Sequence, residues 1–140
     1  MHVNAGALEI SATTIFDNQV GIDPQGASEG GGMYVNGGQL TIDASLIYEN
    51  SAARGGGIYV DRTATDIVNS TVSSNRSGHG IWVVVATSTS IRHSTIVENS
   101  GEGIRGSGVA LDHTIVAQNL DGSINGLSNS AFYSFIRPPS

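Results

Sequence analysis

The sequence predicts an all-β chain, a right-handed parallel β-helix (solenoid) of about five to six short turns with three strands per turn. Three observations carry this prediction. First, asparagines recur as Asn18, Asn50, Asn75, Asn99 and Asn119, and the residues before them fall into columns of one chemical type. Three residues earlier stand Ile15, Ile47, Val72, Ile96 and Val116; five earlier, Thr13, Ser45, Ser70, Ser94 and Thr114; eight earlier, Ile10, Ile42, Ile67, Ile91 and Leu111. A recurrence of about 20–30 residues is the mark of stacked coils. Second, apolar residues alternate within short segments such as Met33-x-Val35 and Leu40-x-Ile42, which is the period of a strand and not of a helix. Third, Gly, Asn, Asp and Ser separate these segments, as corners require. Each strand then pairs in parallel with its counterpart about 4.8 Å away, and parallel crossovers are right-handed.

Taken in order, the first turn places Val3 in a column with Met33, Ile58, Ile81, Ile104 and Ile124, followed by Leu8-Glu9-Ile10 and Thr13-Thr14-Ile15. An insertion over residues 19–29 is expected to bulge from a corner. The second and third turns open on Gly30-Gly31-Gly32 and Gly55-Gly56-Gly57, which supply positive φ or close backbone approach. The fourth carries Gly78-His79-Gly80 at the same place, and a partial sixth turn follows Asn119. The solenoid is expected over residues 1–127. Residues 128–140 form a tail in which Phe132, Tyr133, Phe135 and Ile136 are an aromatic run. It either caps the last turn, whose open strand edge needs covering, or docks on a neighbouring molecule.

Composition removes several classes of function. The formal net charge is −6, only 13% of residues are charged, and the six basic residues are all arginine. That argues against nucleic acid, which selects clustered basic side chains. With no cysteine there is neither a disulfide framework nor a thiolate metal site. No stretch has the 18 or more apolar residues, roughly, of a transmembrane helix, and no signal-peptide pattern opens the chain. The chain reads as a mature piece or an excised fragment.

Several columns raise the question of chemistry. The asparagines are expected to form a structural ladder, each amide bonding turn backbone and the next amide. The Ser/Thr column is expected to be buried or half-buried and satisfied along the stack. If Met33 and Val35 face inward, an outward stripe holds Asn4, Tyr34, Tyr59, Trp82, Arg105 and Asn125. Tyr34, Tyr59, Trp82 and Arg105 are the candidate sugar-binding platform; the competing reading is plain cross-strand stacking. His93 and His113 should stack and are candidate metal ligands, although a third or fourth ligand is missing from their column. Asp17, Glu49 and Glu98 share the position before the asparagine, so Asp17 and Glu49 offer a carboxylate pair of the kind glycoside hydrolysis uses, or a solvated acidic edge. No catalytic residue, metal or cofactor is assigned.

The motifs Gly-Gly-Gly-Met/Ile-Tyr-Val at 30–35 and 55–60, Ile-Tyr-Glu-Asn at 47–50 and Ile-Val-Glu-Asn at 96–99 resemble the right-handed parallel β-helix repeats of bacterial surface proteins, the polymorphic outer-membrane and autotransporter types. The resemblance covers roughly residues 3–125 and implies secretion or surface display, adhesion, and in some members polysaccharide processing. Gly78-His79-Gly80 also resembles the Gly-His-Gly of polygalacturonase-type hydrolases, but the paired aspartates and the Arg-Ile-Lys segment of those enzymes are missing. Pectate-lyase-like chemistry lacks its lysine. The expectation is therefore a non-catalytic extracellular or cell-surface scaffold, structural or adhesive, that self-associates through its ends. The alternative is a carbohydrate-binding or polysaccharide-degrading module. Expected partners are the chain itself and extracellular polysaccharide.

Overall fold

The computed structural model describes residues 1–21, 28–122, 124–132 and 135–136. Every strand pairing among them is parallel, and the strands lie in two ladders that climb the same axis. The first coil contributes β1 (His2–Asn4), β2 (Ala7–Ser11) and β3 (Thr14–Phe16); the next, β4 (Met33–Asp43) and β5 (Leu46–Tyr48). Then follow β6 (Ile58–Val68) with β7 (Thr71–Ser73), and β8 (Ile81–Val83), β9 (Ala86–Arg92) and β10 (Thr95–Val97). The last are β11 (Ile104–Asp112) with β12 (Ile115–Ala117), and β13 (Ile124–Phe132) with β14 (Phe135–Ile136). One sheet runs β1-β4-β6-β8-β11-β13 with β2 and β9 alongside; the other runs β3-β5-β7-β10-β12-β14. The fold is a parallel β-helix.

Three differences from the sequence expectation are informative. The first and second segments of a coil are separate strands only in β1/β2 and β8/β9; in β4, β6, β11 and β13 one bent strand runs through the corner, because hydrogen bonding resumes directly across it (Asn36 pairs with Asp61, Gly38 with Thr63). Val3 pairs with Val35 and not with Met33, and His2 with Tyr34, so His2 and not Asn4 begins the outward stripe; Asn4 pairs with Asn36. A slip of two residues keeps every side chain on its face, so alternation alone cannot detect it. Finally, β13 crosses residue 127, where the solenoid was expected to end, and pairs with β11, while β14 pairs with β12. The backbone of the aromatic tail thus extends both ladders at Phe132, Phe135 and Ile136, whereas Tyr133 and residues 22–27 of the insertion lie outside the described residues.

The columns meet inside. Met33, Ile58, Ile81 and Ile104 are fully buried, as are Ile42, Ile67 and Ile91, and one cluster joins them along the axis. Two polar ladders flank it. In one, each asparagine donates from Nδ2 to the Oδ1 of the next: Asn18 to Asn50 at 3.0 Å, Asn50 to Asn75 at 3.2 Å, Asn75 to Asn99 and Asn99 to Asn119 at 2.9 Å. The same Oδ1 atoms accept the backbone N–H groups of the asparagine below. In the other, the Ser45, Ser70 and Ser94 hydroxyls each donate to the carbonyl two residues back at 2.7 Å and accept the backbone N–H of Thr13, Ser45 and Ser70 in turn. These hydroxyls are buried and bond backbone, not one another.

Each ladder is preceded by a corner residue in the left-handed region. Ala12, Ala44, Asn69, His93 and His113 have φ of 48, 48, 50, 50 and 47° before the Ser/Thr rung. Asp17, Glu49, Ser74, Glu98 and Gln118 have φ of 53, 55, 53, 58 and 56° before the asparagine. Of the glycines, Gly30 and Gly55 do supply positive φ, at 62 and 58°. Gly57 instead supplies clearance, since a Cβ there would lie 2.6 Å from the Gly80 carbonyl oxygen and 2.9 Å from Asn75 Nδ2.

Candidate functional site

The stripe at the start of each coil gathers the richest set of side chains. Its register is His2, Tyr34, Tyr59, Trp82, Arg105, Asn125. Because neighbouring rungs are one strand apart, the rings turn their faces along the axis and onto each other. Tyr34 and Tyr59 stack with centroids 5.2 Å apart and planes 5° apart; Tyr59 and Trp82 are tilted at 6.2 Å; His2 lies 4.4 Å from Tyr34. Arg105 covers Trp82 from above at 4.8 Å, and Arg54 approaches the same ring at 5.6 Å. Tyr59 is only 6% exposed. Burial and the Glu29 carboxylate, which accepts its hydroxyl, push its pKa up to about 12. The four predicted platform residues are therefore together, but as a stack with its faces occupied and its edges outward. Stacking of this kind contributes roughly 0.5–1.5 kcal/mol per pair.

Beside Trp82 is a polar group that no single sequence column brings together. His79, 9% exposed, meets the Trp82 ring edge-on at 4.7 Å. Its Nδ1 accepts the Glu102 backbone N–H at 3.1 Å and lies 3.5 Å from Glu102 Oε2. Glu102 Oε1 accepts Asn125 Nδ2 at 3.2 Å, and Arg105 Nη1 is 3.6 Å from Oε2, a buried oxygen with no hydrogen-bond donor among the described residues. Burial lowers the His79 pKa, with the Glu102 carboxylate opposing and the Arg105 guanidinium assisting. The signal was present: His79 stands two residues before Ile81 and Glu102 two before Ile104, the same rung in successive coils.

The regular ladder is also interrupted at this place. The strand breaks at Val84 and Val85, both exposed; the β6–β9 register shifts after Thr63, and the β11–β13 register shifts between Arg105 and Val109. The result is an open depression lined by Trp82, Val83, Val84, Arg105, Gly106, Ser107 and Asn125. Irregularities of this type re-aim side chains next to functional surfaces.

The remaining candidates are placed as follows. His93 and His113 stack at 5.1 Å with planes 13° apart, and His113 Nδ1 is 2.6 Å from Asp112 Oδ1. Both occupy left-handed corners, where His and Asn are enriched for backbone reasons. Among the described residues no group of three or more His, Asp or Glu is arranged to hold a metal ion. Asp17 and Glu49 sit at the other corner column, with Glu49 paired to Arg76 at 3.2 Å and Glu98 Oε2 3.5 Å from the Ser74 hydroxyl. No helix among the described residues is long and apolar enough to cross a membrane.

No curated protein and no solved structure matches the chain. The family model described as "right handed beta helix region" matches residues 3–134, which runs from β1 through β13 with their corners and stops before β14. With parallel ladders, inward columns and left-handed corners throughout, the chain belongs to the right-handed β-helix family.

Proposed function

We propose that the chain is a non-catalytic scaffold, a β-helical rod of five coils and a partial sixth that is secreted or displayed at the cell surface and serves a structural or adhesive role. The observation that carries this reading is the use of side chains along the axis. The asparagine amides and the aromatic rings are spent on the same residue type one coil away, and the Ser45, Ser70 and Ser94 hydroxyls on the backbone around their rung. Such a design gives length and stiffness, and its stability grows with each coil added. The outer edge of β1, β2 and β3 pairs with nothing among the described residues, so a further coil, from this polypeptide or from another copy, would continue the ladder; head-to-tail association belongs to the proposal.

Protease shaving of intact cells that carry the gene tests display. Peptides of this chain in the shaved fraction, together with absence of a cytoplasmic marker, are expected. Recovery only from the soluble interior after lysis would overturn the reading.

A second reading, binding of polysaccharide, is favoured by one observation, the depression beside Trp82 and Arg105 that the scaffold itself does not require. Binding to a glycan array that is lost in Trp82→Ala and Arg105→Ala is its expected signature. No binding to any glycan by the folded protein would end it.

A further inference from the structure

We propose that His79 and Glu102 form a proton-operated latch that resets the polar contacts around Trp82 in acid. The inference concerns a conformational device and does not depend on the scaffold or the glycan reading.

In the structure the latch is in its neutral position. Nδ1 of His79 accepts the Glu102 N–H at 3.1 Å, so the ring proton sits on Nε2. When Nδ1 takes a proton from water, this acceptor disappears and becomes a donor. The Glu102 N–H is then left facing an N–H, while 3.5 Å from Nδ1 waits Glu102 Oε2, a buried carboxylate oxygen with no hydrogen-bond donor among the described residues in the neutral position. The imidazolium therefore loses one bond to the Glu102 backbone and gains a charge-assisted one to its side chain.

The change is transmitted because Glu102 is shared. Its Oε1 holds Asn125 at 3.2 Å and its Oε2 is 3.6 Å from Arg105, which lies over Trp82 at 4.8 Å. Drawing the carboxylate toward His79 withdraws it from Asn125 and Arg105, two residues that line the depression. The chain around the carboxylate has little room to absorb the motion: a Cβ on Gly101 would lie 2.7 Å from the Gly78 carbonyl oxygen and 3.0 Å from His79 Nδ1. The charged groups facing the imidazole are Glu102 and Arg105 on and just before β11 and Asp121 after β12. Beyond Trp82 are Arg54 and Glu29, paired with each other at 3.0 Å. Burial, assisted by the Arg105 guanidinium, holds the His79 pKa below the ordinary histidine value, with the Glu102 and Asp121 carboxylates opposing, so the latch closes only as pH falls below that value.

Trp82 is the single tryptophan, and an imidazolium against an indole quenches its emission. Fluorescence titrated from pH 8 to pH 4, with circular dichroism recording the fold, therefore reads the latch directly. The wild type is expected to show one reversible quenching step. His79→Gln should abolish it, and Glu102→Gln should move its midpoint down by about one pH unit or more, since the neighbouring negative charge is gone. A flat titration of the folded wild type, or a step that persists in His79→Gln, would overturn the proposal. Should His79→Gln not fold, the imidazole resonances of the wild type decide: Nε2–H tautomer at neutral pH with coupled shifts of the Glu102 amide supports the latch, and an Nδ1–H tautomer refutes it.

Discussion

Truncating the central rung of the asparagine ladder, Asn75→Ala, is expected to cost far more than the same change at its first rung, Asn18→Ala. Asn75 is fully buried. Its Oδ1 accepts the Asn50 backbone N–H at 3.0 Å and Asn50 Nδ2 at 3.2 Å, and its Nδ2 donates to the Ile47 carbonyl at 3.2 Å and to Asn99 Oδ1 at 2.9 Å. Asn50 Nδ2 retains the Ile15 and Tyr48 carbonyls after truncation, but the Asn50 N–H is orphaned inside the protein. One orphaned buried donor costs about 1–3 kcal/mol, and the lost amide bonds add about 0.5–1.5 kcal/mol each. With three such bonds lost beside the orphaned donor, the sum is about 2.5–7.5 kcal/mol, a large part of the 5–15 kcal/mol, roughly, that holds a domain together. Asn18, by contrast, is exposed and its amide donates, among the described residues, only to Phe16 O and Asn50 Oδ1; its loss should cost about 1 kcal/mol or less. Urea unfolding followed by far-ultraviolet circular dichroism measures both, with the slope checked for constancy. Costs that agree within about 0.5 kcal/mol would refute the claim that the ladder's value lies in satisfying buried backbone.

Two further outcomes follow from buried groups. Thr65 and Thr89 stack on adjacent strands inside the core, 3% exposed each, and their hydroxyls find no partner among the described residues; Thr65→Val and Thr89→Val should each raise stability by about 1 kcal/mol in the same urea assay, and a loss would show that the hydroxyls are bonded within the core. Stability should also narrow at both ends of the pH scale. The His79 pKa is lowered in the fold, so the unfolded chain binds the proton more readily and stability falls as pH drops below about 6.5. Tyr59 is raised to about 12, so the fold holds that proton longer and stability falls as pH rises from 10 toward 12. Thermal melts across pH should show a plateau between these limits, with the acid limb reduced in His79→Gln and the alkaline limb reduced in Tyr59→Phe.

Most of the architecture was legible because each coil must present the same residue to the same neighbour. Ile42, Ile67, Ile91 and Leu111 lie in register as their spacing to the asparagines implied. What was not legible depended on quantities that a column does not encode. The place of Val3 opposite Val35 differs from the expected one by two residues, which leaves facing unchanged. The stripe was correctly placed outward at Tyr34 and Trp82, but alternation says nothing of ring orientation, and the short inter-strand distance makes Tyr34 and Tyr59 cover each other. The His79–Glu102 pair was missed because the two residues share a rung but not a chemical type. The corner columns look like candidate ligands and carboxylate pairs in the sequence; their common property is a backbone angle.

That angle frees the side chains attached to it. Ala, Asn and His fill one left-handed row, and Asp, Glu, Ser and Gln the other, while the ladders beside them accept almost no variation. A scaffold of this kind separates what must be conserved from what can be written. Each coil offers two addresses on its outer edge, repeated at the strand spacing of about 4.8 Å, where a change of side chain alters the surface without touching a rung. Rows of charge, of imidazole or of amide can be composed there one coil at a time, and β-branched residues, which resist the left-handed angle, are the letters that such an alphabet excludes.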